Sequence, residues 1–202
     1  LAGHLEILAF AATAVGPVVD LVARFRAAYP RVSVRLGELR DETRAASAIE
    51  DGHCEFAVAH LPIAGDDLEV IVIGEHEHVL VYPPGTDVPE GPIPLNNLPA
   101  IPMVFVPRGY SVADEFEEAI RVGGVRPPLA VLSEIREERL PMVESGIGGT
   151  LLERSVAESA DEPVVIREIE PNVVRPFAIA FHPPSLSAVG QAFVDLVRET
   201  AG

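Results

Sequence analysis

Apolar positions along this chain fall into runs of strand length and stripes of helical spacing, and the two alternate. Leu5 to Ala11 is an apolar run of strand length. Gly16-Pro17 opens a stretch with apolar residues at Val18, Leu21, Val22, Phe25, Ala28 and Tyr29. That is the i, i+3, i+4, i+7 rhythm of an amphipathic helix, with Pro17 in its first turn and Pro30 at its end. Val32, Val34 and Leu36 alternate with Arg31, Ser33 and Arg35, which predicts a strand with one polar face. Asp41 is placed to cap a second helix that stops at Gly52, and Phe56-Ala57-Val58-Ala59 predicts a third strand. Strand, helix, strand, helix, strand with short connections implies a parallel sheet covered by helices.

Leu68 to Ile73 and Val79 to Tyr82 are two further strand-like runs, and the seven prolines from Pro83 to Pro102 forbid a long regular element between them and the next run. The rhythm then restarts. Met103 to Val106 predicts a strand, Ser111 to Val122 a helix, Leu129 to Leu132 a strand and Leu140 to Ser145 part of a helix stopped by Gly146. Val164 to Ile169 and Phe177 to Phe181 predict two more strands, with Pro171 and Pro176 around a crossing point. Leu186, Val189, Gly190, Phe193, Leu196 and Val197 form the stripe of a last helix. Two α/β units in one chain suggest two lobes with a cleft, since ligands of open parallel sheets sit beyond the carboxyl ends of the strands.

Composition narrows the function. The 202 residues carry 31 acidic and 15 basic side chains, a formal charge of −16, and every basic residue is arginine. No run of cations could neutralise a phosphate backbone, so this chain by itself is not expected to bind DNA. The single Cys54 excludes an internal disulfide, and no apolar run approaches the ~20 residues of a membrane helix. No basic segment ahead of an apolar core marks a secretory signal, so a cytoplasmic setting without membrane contact is expected. The first residue is Leu1, which suggests a processed chain or a piece of a longer protein.

Catalytic signatures are missing. There is no Gly-x-Ser-x-Gly elbow, and Gly146-Ile147-Gly148-Gly149 ends a helix where a phosphate loop would begin one. Cys54 has no identifiable histidine base. His76-Glu77-His78 could place two histidines on one strand face, but a solvated edge explains it more simply and no second cluster supports a metal. The expectation is a protein that is not an enzyme and holds no cofactor.

Leu5-Glu6-Ile7-Leu8-Ala9-Phe10, then Val15-Gly16-Pro17-Val18-Val19 and Phe25-Arg26-Ala27-Ala28-Tyr29-Pro30-Arg31-Val32, resembles the start of the effector-binding domain of LysR-type transcriptional regulators. Gly52-His53-Cys54-Glu55-Phe56-Ala57-Val58 is similar to that family's approach to the third strand, with Glu55 where aspartate is usual. Val143-Glu144-Ser145-Gly146-Ile147-Gly148, followed by Leu151-Leu152, is similar to its Val-x-x-Gly-hydrophobic-Gly helix end. The resemblance covers essentially the whole chain. It implies a two-lobed α/β fold like type 2 periplasmic binding proteins, each lobe a mostly parallel sheet flanked by helices, joined by two crossing strands. Lobe I would be 1–74 plus 175–202 and lobe II 75–174. The amino-terminal helix-turn-helix module of such regulators is absent here, so DNA would be reached only through that missing part. A homodimer or homotetramer is implied, paired through the exposed face of helix 17–29.

In such a cleft the effector is a small molecule, a carboxylate being one candidate, met by strand-to-helix turns whose free N–H groups and helix dipoles favour an anion. Ala12-Thr13 offers a hydroxyl at the first turn, Arg40 a guanidinium at the second, and His60 an imidazole at the third. Arg108-Gly109-Tyr110-Ser111 is the strongest candidate, since N–H groups, a guanidinium and a phenol could converge there. Thr150 lies in the glycine-rich segment. Each has a plain alternative: Thr13 and Ser111 as caps, Arg40 paired with neighbouring carboxylates, Thr150 as strand packing. Pro141 departs from the family pattern and predicts a short or kinked helix. Two other classes carry the same fold, a stand-alone solute-binding protein and an enzyme on that scaffold.

Overall fold

The computed structural model describes residues 1–14, 16–107, 116, 120 and 126–201. The chain divides into two compact units, Leu1–Glu75 with Arg175–Gly202, and His76–Val174. In the first unit β1 (Gly3–Phe10) pairs in parallel with β2 (Val32–Leu39) and with β3 (Phe56–His60). The crossovers are α1 (Pro17–Ala28) and a 3₁₀ turn, Glu42–Arg44, leading into α2 (Ala45–Glu50). The period of two along the strands divides the core. Leu5, Ile7, Phe56 and Val58 bury against Val18, Leu21 and Phe25 of α1. Ala57 and Ala59 face the other way, onto Ala45, Ala48 and Ile49 of α2. Small residues on that side let α2 lie close to the sheet. Asp41 caps the turn as expected, its Oδ1 accepting the Thr43 N–H at 3.0 Å.

The next strand corrects an expectation. Instead of two strands, 68–73 and 79–82, a single 14-residue strand, β4 (Glu69–Tyr82), runs through His76-Glu77-His78. The polar triplet breaks the apolar rhythm but not the extended backbone, because its side chains find partners. Glu77 takes two hydrogen bonds from Arg154, at 2.5 and 3.2 Å, and His78 is buried 4.0 Å from Glu153.

The second unit contains β5 (Ile93–Pro94), β6 (Met103–Phe105), β7 (Leu129–Leu132), α3 (Arg139–Glu144), β8 (Thr150–Glu153), α4 (Arg154–Ala157), β9 (Val165–Arg167) and β10 (Ile169–Glu170). β6 and β7 pair in parallel, as do β5 and β10, while the end of β4 takes β8 and β9 antiparallel. The run 164–169, read as one strand, is therefore two short ones on different partners; the Glu168 carbonyl accepts the Ile93 N–H at 2.8 Å where they change over. The helix read over 111–122 lies outside the described residues apart from Phe116 and Ile120, which are helical and buried.

Pro141 is the third residue of α3, in the first turn, where its missing N–H forfeits no helical bond. The helix ends in a Schellman pair: Gly146 N–H donates to the Val143 carbonyl and Ile147 N–H to the Met142 carbonyl, with Gly146 at φ +81°. A side chain at Gly148 would place its Cβ 2.4 Å from the Pro102 carbonyl oxygen. Conformation thus accounts for Gly146 and close approach for Gly148.

The chain returns on β11 (Val173–Phe181), which begins four residues before the expected Phe177 and continues through Pro176. It pairs antiparallel with β3, Phe177 opposite His60, so the first unit's sheet, ordered β2-β1-β3-β11, is mixed. β4 and β11 are the two strands that run from one unit into the other. α5 (Ala188–Ala201) closes the first core with Phe193, whose ring meets Phe25 at 5.2 Å and Phe56 at 5.1 Å in edge-on geometry. Glu55 accepts the Ser187 N–H at 2.7 Å and the Ser187 hydroxyl at 3.1 Å, just before the start of this helix, where a negative charge is favourable.

Candidate functional site

The carboxyl ends of β1, β2 and β3 bring several of the expected residues together in the first unit. β1 ends at Phe10 and a 3₁₀ turn, Ala11–Thr13, follows. Ala12 and Thr13 are both buried there, and the Thr13 hydroxyl donates to the carbonyls of Phe10 at 2.8 Å and of Val58 at 3.2 Å. That bond ties the first turn to β3 two residues before His60. Arg40 follows β2, is exposed, and makes no ion pair among the described residues. His60 is the last residue of β3 and only 3% exposed. Its ring lies edge-on between Phe10 at 6.0 Å and Phe177 at 6.3 Å.

Two residues absent from the sequence-derived set complete this cluster. Glu42, in the turn after β2, meets His60 Nδ1 at 2.8 Å through Oε2 and accepts from Arg175 Nη2 at 3.1 Å through Oε1. Both side chains are almost out of water, 12% and 10% exposed. Each carboxylate oxygen thus has its own partner, which is what a buried charge requires. One signal could have flagged Arg175: on β11 it has the same parity as Phe177 and Ile179, which enter the core, so it is a cation at an inward position.

Thr150 opens β8 in the second unit, 1% exposed, its hydroxyl donating to the Val104 carbonyl at 2.9 Å. Arg108, Gly109, Tyr110 and Ser111 lie outside the described residues.

Other chemical groups can be placed as well. Burial pushes the Cys54 thiol up to about 11, so it is not poised as a nucleophile. Among the described residues no group of histidine, cysteine and carboxylate side chains could hold a metal ion; in His76-Glu77-His78, Glu77 is bonded to Arg154 and His78 lies beside Glu153. Among the same residues no helix is long and apolar enough to cross a membrane. A hollow of about 630 Å³ lies in the first unit at the opposite, amino-terminal end of β1, lined by residues that include His4, Glu6, His53 and His182.

Paired α/β units joined by two strands, with a polar cluster at the carboxyl ends of parallel strands, define the type 2 periplasmic-binding-protein-like fold. The family model described as the LysR substrate binding domain matches residues 1–202, and the chain belongs to that family. Its members are the ligand-sensing regulatory part of LysR-type transcriptional regulators. Among solved structures, the chain is similar to the C-terminal domain of a probable LysR family transcriptional regulator from Rhodococcus sp. RHA1. That match has 25% identity and a TM-score of 0.78, covering 98% of this chain and 100% of that one. The regulatory domain of CcmR from Synechocystis PCC6803, solved in complex with 2-PG, is 18% identical with a TM-score of 0.82, covering 98% of this chain and 97% of that one. HinK, a LysR family transcriptional regulator from Pseudomonas aeruginosa, is 23% identical with a TM-score of 0.78, covering 100% of this chain and 71% of that one. No curated protein sequence matches the chain.

Proposed function

We propose that this domain binds a small-molecule effector through Ala12, Thr13, Arg40 and His60 in the first unit and Arg108, Gly109, Tyr110, Ser111 and Thr150 in the second. Binding carries no reaction. It is passed, through a homodimer or homotetramer in the cytoplasm, to a DNA-reading part of the regulator. The observation that carries this reading is the family match over all 202 residues. The polar cluster at the strand ends supplies the chemistry. A ligand changes such a regulator only through unequal affinity for two arrangements of the protein.

A thermal-shift screen of metabolites against the purified chain tests the proposal. A true effector at 100 times its Kd adds about 2.7 kcal/mol of stability. Arg108→Ala, Ser111→Ala and His60→Ala each reduce that shift while leaving the unliganded protein folded. A bound metabolite whose shift is the same in all three variants overturns the assignment, and turnover of the bound metabolite overturns the non-catalytic reading.

A further inference from the structure

Away from the strand-end cluster, the first unit holds a second concave feature. The hollow of about 630 Å³ at the amino-terminal end of β1 falls within the roughly 300–1,000 Å³ that small-molecule sites occupy. None of Ala12, Thr13, Arg40 and His60 lines it. Its floor is apolar, made by Ile49, Cys54 and Leu68, which belong to one packed cluster under the sheet. Glu6, Glu50, Glu55 and Asp67 also line it, from four separate stretches of chain, and no arginine among the described residues does. Glu6 accepts from Arg35, whereas Glu55 is held by the Ser187 N–H at 2.7 Å and hydroxyl at 3.1 Å, neither of which carries charge. Glu50 and Asp67 are exposed and make no side-chain hydrogen bond or ion pair among the described residues.

A carboxylate only accepts hydrogen bonds and an ammonium only donates them. The lining is therefore complementary to a ligand that brings N–H donors and positive charge, and it repels one that brings a carboxylate. Carboxylates on separate segments around an apolar floor match a methylene chain with an ammonium at each end. We propose that this hollow is a second small-molecule site, taking an aliphatic di- or triamine whose methylenes lie on Ile49, Cys54 and Leu68 and whose ammonium groups meet Glu50, Glu55 and Asp67.

The test is titration of the 202-residue chain with spermidine, followed by calorimetry and by ¹H–¹⁵N amide spectra at about 150 mM NaCl, where general attraction to a chain of charge −16 is screened. The expected result is one saturable site with a Kd below about 1 mM, with amide shifts gathered at residues 49–55 and 67–68. Glutarate, a dicarboxylate, is expected not to bind there. Glu50→Gln combined with Asp67→Asn should weaken spermidine about tenfold or more, since each removes a charged acceptor. Glu90→Gln combined with Glu138→Gln, an equal change of charge at exposed positions in the second unit, should leave it unchanged. No saturable binding, equal weakening in the two double variants, or glutarate binding at the same residues overturns the proposal. So do amide shifts scattered over the chain or centred on residues 12, 40 and 60. The proposal does not rest on the effector reading, and none of these variants alters an effector position, so either can fail without the other.

Discussion

Burial sets very different terms for three polar side chains in the second unit. Tyr82 is fully buried, its hydroxyl has no hydrogen-bond partner among the described residues, and burial raises its pKa to about 12. An unsatisfied hydroxyl costs free energy that a hydrogen atom in its place does not. Tyr82→Phe is therefore expected to leave stability unchanged or raise it by about 1 kcal/mol, read from the urea midpoint; a loss would show that the hydroxyl has a stabilising partner. Glu153 is the opposite case. Burial pushes its carboxyl up, but the Arg136 guanidinium 2.8 Å away, with a contribution from His78, brings it down to about 2 from an ordinary 4.5. A carboxyl depressed in the folded state stabilises above its unfolded pKa and loses that contribution as pH falls through the folded value. Stability is expected to drop by roughly 3 kcal/mol between pH 4.5 and 2 on this account. Arg136→Met should flatten that slope, measured by urea unfolding across the range. Thr150 uses its hydroxyl on the Val104 carbonyl and needs no such compensation.

Among the elements, α5 shows how a stripe becomes a core. Phe193 is fully buried and its ring meets rings from α1 and β3, so the carboxyl-terminal helix is pinned to the earliest part of the chain. Phe193→Ala is expected to cost 3–5 kcal/mol, lowering the thermal midpoint by several degrees in calorimetry. A loss under 1 kcal/mol would mean that α5 is not held by this contact. The same element shows what periodicity can reveal, since its stripe, like that of α1, is legible from spacing alone. β4 is a contrary case. Its polar triplet ends the apolar pattern although the strand continues, because Arg154 and Glu153 arrive from elsewhere in the chain to receive it. At the strand ends the candidate site divides along the same line. Thr13 and His60 were legible because they follow apolar runs. Glu42 and Arg175 were not, because their pairing joins positions 133 residues apart.

At the scale of the whole chain, electrostatics separates sensing from DNA reading. With a formal charge of −16 and its arginines dispersed along the sequence, several of them in ion pairs with carboxylates, this chain is expected to be repelled by a duplex and not to release its counterions. In an electrophoretic mobility assay at about 100 mM salt it is expected to leave promoter DNA unshifted with or without effector; salt-sensitive retardation by the 202-residue chain would contradict this. DNA recognition would then have to be placed in this domain instead of in a separate part of the regulator.

Spacing alone settled where most strands and helices lie, because a period of two or of 3.6 is a local property that each stretch displays without its neighbours. It also marked Asp41 as a cap and Gly146 as a helix stop, for the same reason. Only the folded chain decided that β11 lies antiparallel to β3, that β4 is one strand, and that Glu42 serves both His60 and Arg175. Those outcomes depend on which distant strands, apolar faces and charges are brought together as water is removed. That pairing acts through space between distant segments and leaves no periodic trace along the chain.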